Sequence, residues 1–150
     1  MKKAVLSTLI VLLIFTSFVK ASEIMPTNNT ACEDTVKACS DNKLVVVWTS
    51  ADKEVALKMV FMYTFNAKKF KWWDDITLLV WGPSSKLLSE DKELQDYVKK
   101  MKEKGIKILA CKGCADQYGV SEKLKEIGVK VKYTGVDFTN FIKERHVVTF

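Results

Sequence analysis

The chain has 150 residues, 48% hydrophobic and 28% charged, with a formal net charge of +6 and four cysteines. That length suits one domain. Six glycines and two prolines in so apolar a chain exclude a disordered or collagen-like protein, and four cysteines are too few for a disulfide-dense mini-protein.

Lys2 and Lys3 precede an apolar run over residues 4–19, and Val19-Lys20-Ala21 ends on a small residue. A charged start, a short apolar middle and a small-residue end predict a secretory signal peptide over residues 1–21. The run is shorter than the about 20 apolar residues a membrane-spanning helix needs. Cleavage therefore leaves no stable membrane anchor, and the expected location is periplasmic or secreted. It also removes Lys2, Lys3 and Lys20 but no acid, leaving 129 residues and a net charge of +3. So mild a charge gives no case for nucleic acid. Residues 22–42 are polar and without periodicity, which predicts an N-terminal arm carrying Cys32 and Cys39.

From residue 43 the pattern alternates. Residues 43–48 (Lys-Leu-Val-Val-Val-Trp) read as a buried strand, and the turn through Asp52 can cap a helix from about 53 to 69. Residues 76–81 form a second buried strand, stopped by Gly82-Pro83. A helix over 92–104 ends at Gly105, where a positive φ is wanted. A third strand covers 106–110. A short helix over 121–127 closes at Gly128, a fourth strand covers 129–133, a helix covers 136–145, and a last strand covers 147–150. Strand and helix alternating over short connections predict a three-layer α/β/α sandwich, with a mostly parallel sheet of about five strands over residues 43–150.

The first helix is unusual. Over residues 54–65 only Glu54, Lys58 and Thr64 break an apolar run. A helix apolar nearly all round is buried on both sides. A domain this small does not cover it alone, so a second subunit is the expected cover. The arm lying over it is the alternative.

Open parallel sheets collect ligands at the carboxyl ends of their strands. Those ends present Thr49, Ser50 and Asp52; Gly82, Ser84 and Ser85; Cys111-Lys112-Gly113-Cys114; and Thr134 with Gly135. Thr49, Ser50, Ser84 and Ser85 are candidates for an anion or substrate groove, and Ser84 and Ser85 equally for helix caps. Cys111 and Cys114 form a Cys-x-x-Cys at a strand-to-helix turn. A thiol at a helix N-terminus faces backbone N–H groups that favour the thiolate, and Lys112 adds positive charge. On this reading Cys114 is the nucleophile and Cys111 its resolving partner. A structural disulfide and half of a four-cysteine zinc site are the competing readings. The gap between Cys32 and Cys39 is wide for zinc, and a disulfide stapling the arm fits better. Four cysteines allow three pairings, which the sequence does not choose among. Thioredoxin chemistry fits poorly, because no proline follows the motif. His146, the single histidine, forms neither a multi-histidine metal site nor a triad. No phosphate loop is present, and no cofactor is indicated.

Several of these segments together resemble a known family. They are Val80-Trp81-Gly82-Pro83-Ser84 with Lys86-Leu87-Leu88, Leu109-Ala110-Cys111-Lys112-Gly113-Cys114-Ala115-Asp116, Tyr118-Gly119-Val120 and the terminal Val148-Thr149-Phe150. Residues 44–150 resemble the DsrE/DsrF-like domains of sulfur-relay proteins. The resemblance implies a three-layer subunit that assembles into trimers or hexamers. It also implies a cysteine after the third strand, matched by Cys114 or Cys111, that carries persulfide sulfur between a donor and an acceptor protein. The leader and the Cys32/Cys39 pair depart from that family. An oxidising compartment favours a Cys111–Cys114 disulfide over a standing persulfide. The alternative function is a non-catalytic oligomeric binding or assembly module with structural disulfides.

Overall fold

The computed structural model describes residues 42–150. The expected leader, most of the arm, and Cys32 with Cys39 lie outside the described residues. Five strands, β1 (Lys43–Trp48), β2 (Asp75–Val80), β3 (Lys107–Cys111), β4 (Lys130–Lys132) and β5 (His146–Thr149), form one sheet in the order β4-β3-β2-β1-β5. Every neighbouring pair is parallel. The expected α/β class with a parallel five-stranded sheet is what the chain adopts.

Six helical elements connect the strands. Helix α1 spans residues 53–69 in three parts: α-helical Lys53–Val55, π-helical Ala56–Phe61 and α-helical Met62–Lys69. Asp52 caps it as expected, its carboxylate accepting from the N–H groups of Glu54 at 2.7 Å and Val55 at 3.1 Å. Then come α2 (Pro83–Glu90), α3 (Lys92–Glu103), α4 (Lys112–Gln117), α5 (Ser121–Glu126) and α6 (Gly135–Glu144). Gly105 and Gly128 take the left-handed φ that ends α3 and α5. The sequence reading did not separate α2 from the loop after β2. Its signal was Pro83 at the first helical position, where a missing N–H costs nothing.

Topology explains an asymmetry between the two faces. The chain steps one way from β1 to β4, then jumps back across β1 to β5. Crossovers of one hand put the helices of the forward steps on one face and the helix of the return on the other. The first face holds the main core: Val46, Trp48, Leu78, Val80 and Ala110 meet Val60, Phe61, Leu88, Val98 and Leu124. The second holds a small cluster in which Val45, Val47 and Leu79 meet Phe138 and Phe141 of α6.

Helix α1 is buried on one side of the chain rather than two. Ala56, Val60, Phe61, Thr64 and Ala67 turn inward, whereas Met59 and Met62 are 50% and 49% exposed. Phe70 and Trp72, stacked with centroids 5.8 Å apart, extend this open apolar surface beyond the end of α1. Among the described residues, no helix is long and apolar enough to cross a membrane.

Candidate functional site

The carboxyl edge of the sheet gathers the residues of interest. Cys111 is the last residue of β3 and the N-cap of α4, so the helix begins inside the Cys-x-x-Cys and not after it. Cys114 therefore lies in the first turn of α4. Both cysteines are free thiols; Cys111 is 8% exposed and Cys114 half-buried.

The two sulfurs differ in acidity. Burial pushes the Cys111 thiol up, but the N–H of Cys114, the hydroxyl of Thr134, the thiol of Cys114 and the N–H of Gly113 outweigh it. The result is a pKa below that of an ordinary thiol. As a neutral thiol, a weak acceptor, Cys111 forms no capping hydrogen bond; these donors act once it is ionised. Cys114 moves the other way. Burial raises it, and so does the adjacent Cys111 sulfur, while the Gly82 N–H opposes them. Sequence reasoning had put the more acidic thiol at Cys114. The structure puts it at Cys111, because the N-cap sulfur sits in front of the helix N–H groups while the first-turn sulfur sits beside them.

Lys112 does not serve the thiols as expected. Its ammonium pairs with Asp116 four residues on and lies 5.3 Å from the centre of the Tyr133 ring. Asp116 also accepts from the Ser121 hydroxyl at 2.6 Å, which ties α4 to α5.

The four candidate groove hydroxyls fare differently. Thr49 donates to the Phe150 carbonyl at 2.8 Å and so fixes the C-terminus against β1. Ser50 accepts from the Asp52 N–H at 3.0 Å. Ser84, fully buried, donates to the Trp48 carbonyl at 2.6 Å and accepts from the Trp81 N–H at 3.1 Å, stitching β1 to the turn after β2. Ser85 is buried with no partner for its hydroxyl. A cavity of about 290 Å³ between Ala51, Pro83, Lys86, Leu87, Glu90 and Tyr118 is lined by none of the four. His146 packs on Trp73, with ring centres 5.0 Å apart. Among the described residues, no group of three or more His, Cys, Asp or Glu side chains is placed to hold a metal ion.

Two further buried polar atoms lack partners, Trp48 Nε1 and Thr134 Oγ1. The residues carrying all three unpartnered groups follow or end β1, β2 and β4, so they share the cysteine edge. Sequence reasoning placed Thr134 at this edge but gave it no role. Its signal was a hydroxyl residue in the turn from β4 into α6.

A parallel α/β sheet whose carboxyl edge presents a strand-capping thiol with a second thiol one turn away defines a thiol-bearing α/β domain. The chain belongs to the DsrE/DsrF-like family, which it matches over residues 42–150. Membership points to a function of the sulfur-relay type. Similar solved structures include the following two. A conserved protein of unknown function from Bacteroides thetaiotaomicron, BT1422, shares 32% identity at a TM-score of 0.71, covering 73% of this chain and 95% of that one. The ychN protein of E. coli shares 17% identity at a TM-score of 0.58, covering 73% of this chain and 99% of that one, a likeness of fold. No curated protein matches the chain.

Proposed function

We propose that the protein is an exported sulfur carrier that accepts sulfane sulfur on Cys111. The observation that carries this reading is the buried free thiol at the N-cap of α4, with a second free thiol in the first turn of that helix. The Cys111 thiolate attacks the outer sulfur of a donor such as thiosulfate. A bond forms between Cys111 and that sulfur, the donor's sulfur–sulfur bond breaks, and sulfite leaves with the electron pair. Cys111 then bears a perthiolate. In the absence of an acceptor, Cys114 attacks the Cys111 sulfur, the outer sulfur leaves as hydrosulfide with the Cys114 proton, and a Cys111–Cys114 disulfide remains. An acceptor protein takes the outer sulfur instead. The reading reverses the roles expected from sequence, with Cys111 as the nucleophile and Cys114 as its partner.

Assembly is part of the proposal. The half-exposed Met59 and Met62, continued by Phe70 and Trp72, are the kind of apolar surface a second copy of the chain covers. A homo-oligomer, trimeric or hexameric as the family resemblance implies, accounts for a helix that exposes Met59 and Met62 beside Lys58. Sizing chromatography checks this, and a monomer at micromolar concentration would overturn it. Export rests on the leader-like residues 1–21, and the N-terminal mass of protein recovered from its native compartment tests it.

Intact-mass measurement after incubation with thiosulfate or polysulfide tests the sulfur chemistry. Cys114→Ser should gain sulfur that a reductant removes, wild type should gain it transiently and end as the Cys111–Cys114 disulfide, and Cys111→Ser should gain none. Equal gain in all three would overturn the reading.

A further inference from the structure

Thr134 occupies the N-cap of α6, where a threonine hydroxyl ordinarily accepts from an N–H of the first turn. Here it makes no such bond, although its carbonyl accepts from the Phe138 N–H at 2.8 Å. The side chain is 1% exposed, and its Oγ1 has no hydrogen-bond partner. A buried hydroxyl that neither caps nor bonds is costly, so its orientation needs an explanation.

The sheet register supplies one. Cys111 of β3 pairs with Lys132, the last residue of β4, and Thr134 follows two residues later at the same edge. Thr134 thus sits at the edge where β3 ends in Cys111, and its hydroxyl is committed neither to the helix it should cap nor to any other group. We propose that Thr134 is a positioning residue whose hydroxyl donates to the Cys111 sulfur once that sulfur is ionised, and so holds it as the reactive anion. The inference rests on Cys111 as the ionised thiol of the pair. It adds a donor from a third element, since the other donors belong to α4 itself. Loss of the thiol proton gives the orphaned hydroxyl an acceptor, which favours the anion over the neutral form.

The other titratable groups at this edge are matched among themselves. Lys112 pairs with Asp116, Lys132 pairs with Asp137 at 2.6 Å, and Tyr133 lies beneath Lys112. The turn from β2 into α2 brings only the uncharged Gly82 to Ser85, with Lys86 exposed beyond it. Cys114 is the one remaining group that titrates against Cys111.

Iodoacetamide alkylation of the full chain against pH tests the proposal, read by peptide mass spectrometry. Trypsin cuts at Lys112, which puts Cys111 and Cys114 on separate peptides. Thr134→Val should move the Cys111 profile up by about one pH unit, so that alkylation below the midpoint slows roughly tenfold. Thr134→Ser keeps the hydroxyl and should follow wild type, and Thr134→Ala should follow Thr134→Val. Circular dichroism verifies that each variant is folded, and the serine–alanine pair decides the matter should valine not be accommodated. A Thr134→Val or Thr134→Ala profile that superimposes on wild type would overturn the proposal, as would a Thr134→Ser profile shifted like alanine's. Because no sulfur donor is present, these outcomes are distinct from failure of the persulfide reading, which shows only in sulfur uptake.

Discussion

At the amino ends of the strands, charge meets charge. Asp75, opening β2, accepts from Arg145 at 2.7 Å and from Lys107 of β3 at 3.0 Å, while Asn42 donates to Asp74 at 2.8 Å. At the carboxyl ends, Ser85 and Thr134 carry hydroxyls without partners, Trp48 has an unpartnered N–H, and two free thiols sit at a helix start. One end of the same sheet satisfies its polar groups and the other leaves several waiting. Unsatisfied buried groups cost stability, so a domain retains them where something else uses them. The contrast therefore separates residues that hold the fold from residues that act.

The largest expected effect lies at the reactive end. Cys111→Ser should abolish sulfur uptake and remove the alkylation component seen below the range of an ordinary thiol, with little change in stability. Cys114→Ser should preserve uptake. It should slow hydrosulfide release, because no second thiol remains to resolve the perthiolate. If both variants lost uptake equally, the assignment of distinct roles would fail.

At the satisfied end, Asp75→Asn should cost about 2 kcal/mol, since it leaves Arg145 and Lys107 without their anion. Burial alone would raise the Asp75 pKa, and the hydrogen bonds from Lys107 and Arg145 overcome it and hold the carboxyl below the usual range. Stability from a depressed carboxylate is fully present above the unfolded-state pKa near ~4 and is lost as pH falls through the folded-state value. Urea denaturation at neutral pH should thus separate wild type from Asp75→Asn clearly. The gap should begin to close below pH ~4 and vanish once the pH is under the depressed folded-state value, and a gap constant with pH would mean that the ion pair is not its source.

How much of this was legible beforehand follows from what each signal depends on. The strands were readable because Val-Val-Val and Leu-Leu-Val runs are apolar without a break, as fully covered parallel strands must be. Asp52, Gly105 and Gly128 were readable because capping and positive φ act locally. The edge carrying the cysteines followed from topology alone. The order of acidity did not, since it turns on whether α4 begins at Lys112 or after Cys114, a difference of one helical turn. The silence of Lys112 was also hidden, because an i,i+4 acid competes for it and Asp116 wins. The one-sided burial of α1 within a single chain was readable too, because so small a domain cannot cover a helix that is apolar nearly all round.

Ser84→Ala carries the comparison to adjacent residues. Ser84 bonds the Trp48 carbonyl and the Trp81 backbone, so its loss should cost about 1–2 kcal/mol and loosen the Gly82–Pro83 turn. The Trp81 amide keeps its bond to the Trp48 carbonyl at 2.9 Å but loses the Ser84 acceptor, so hydrogen exchange there should speed up modestly and report the loosening before global stability does.

The smallest expected effect is the most discriminating. Ser85, next in sequence and equally buried, makes no hydrogen bond with its side chain. Ser85→Ala removes an unsatisfied hydroxyl and substitutes a better helix former in the first turn of α2, at the cost of a void smaller than a methyl group. The expected result is a gain of about 0.5 kcal/mol in urea denaturation, opposite in sign to Ser84→Ala. A loss of about 1 kcal/mol or more would mean that the hydroxyl has a partner in the folded protein and that the carboxyl edge is as well satisfied as the amino edge. Equal stability with slower sulfur uptake would instead mark Ser85, like Thr134, as a group whose partner arrives with the chemistry.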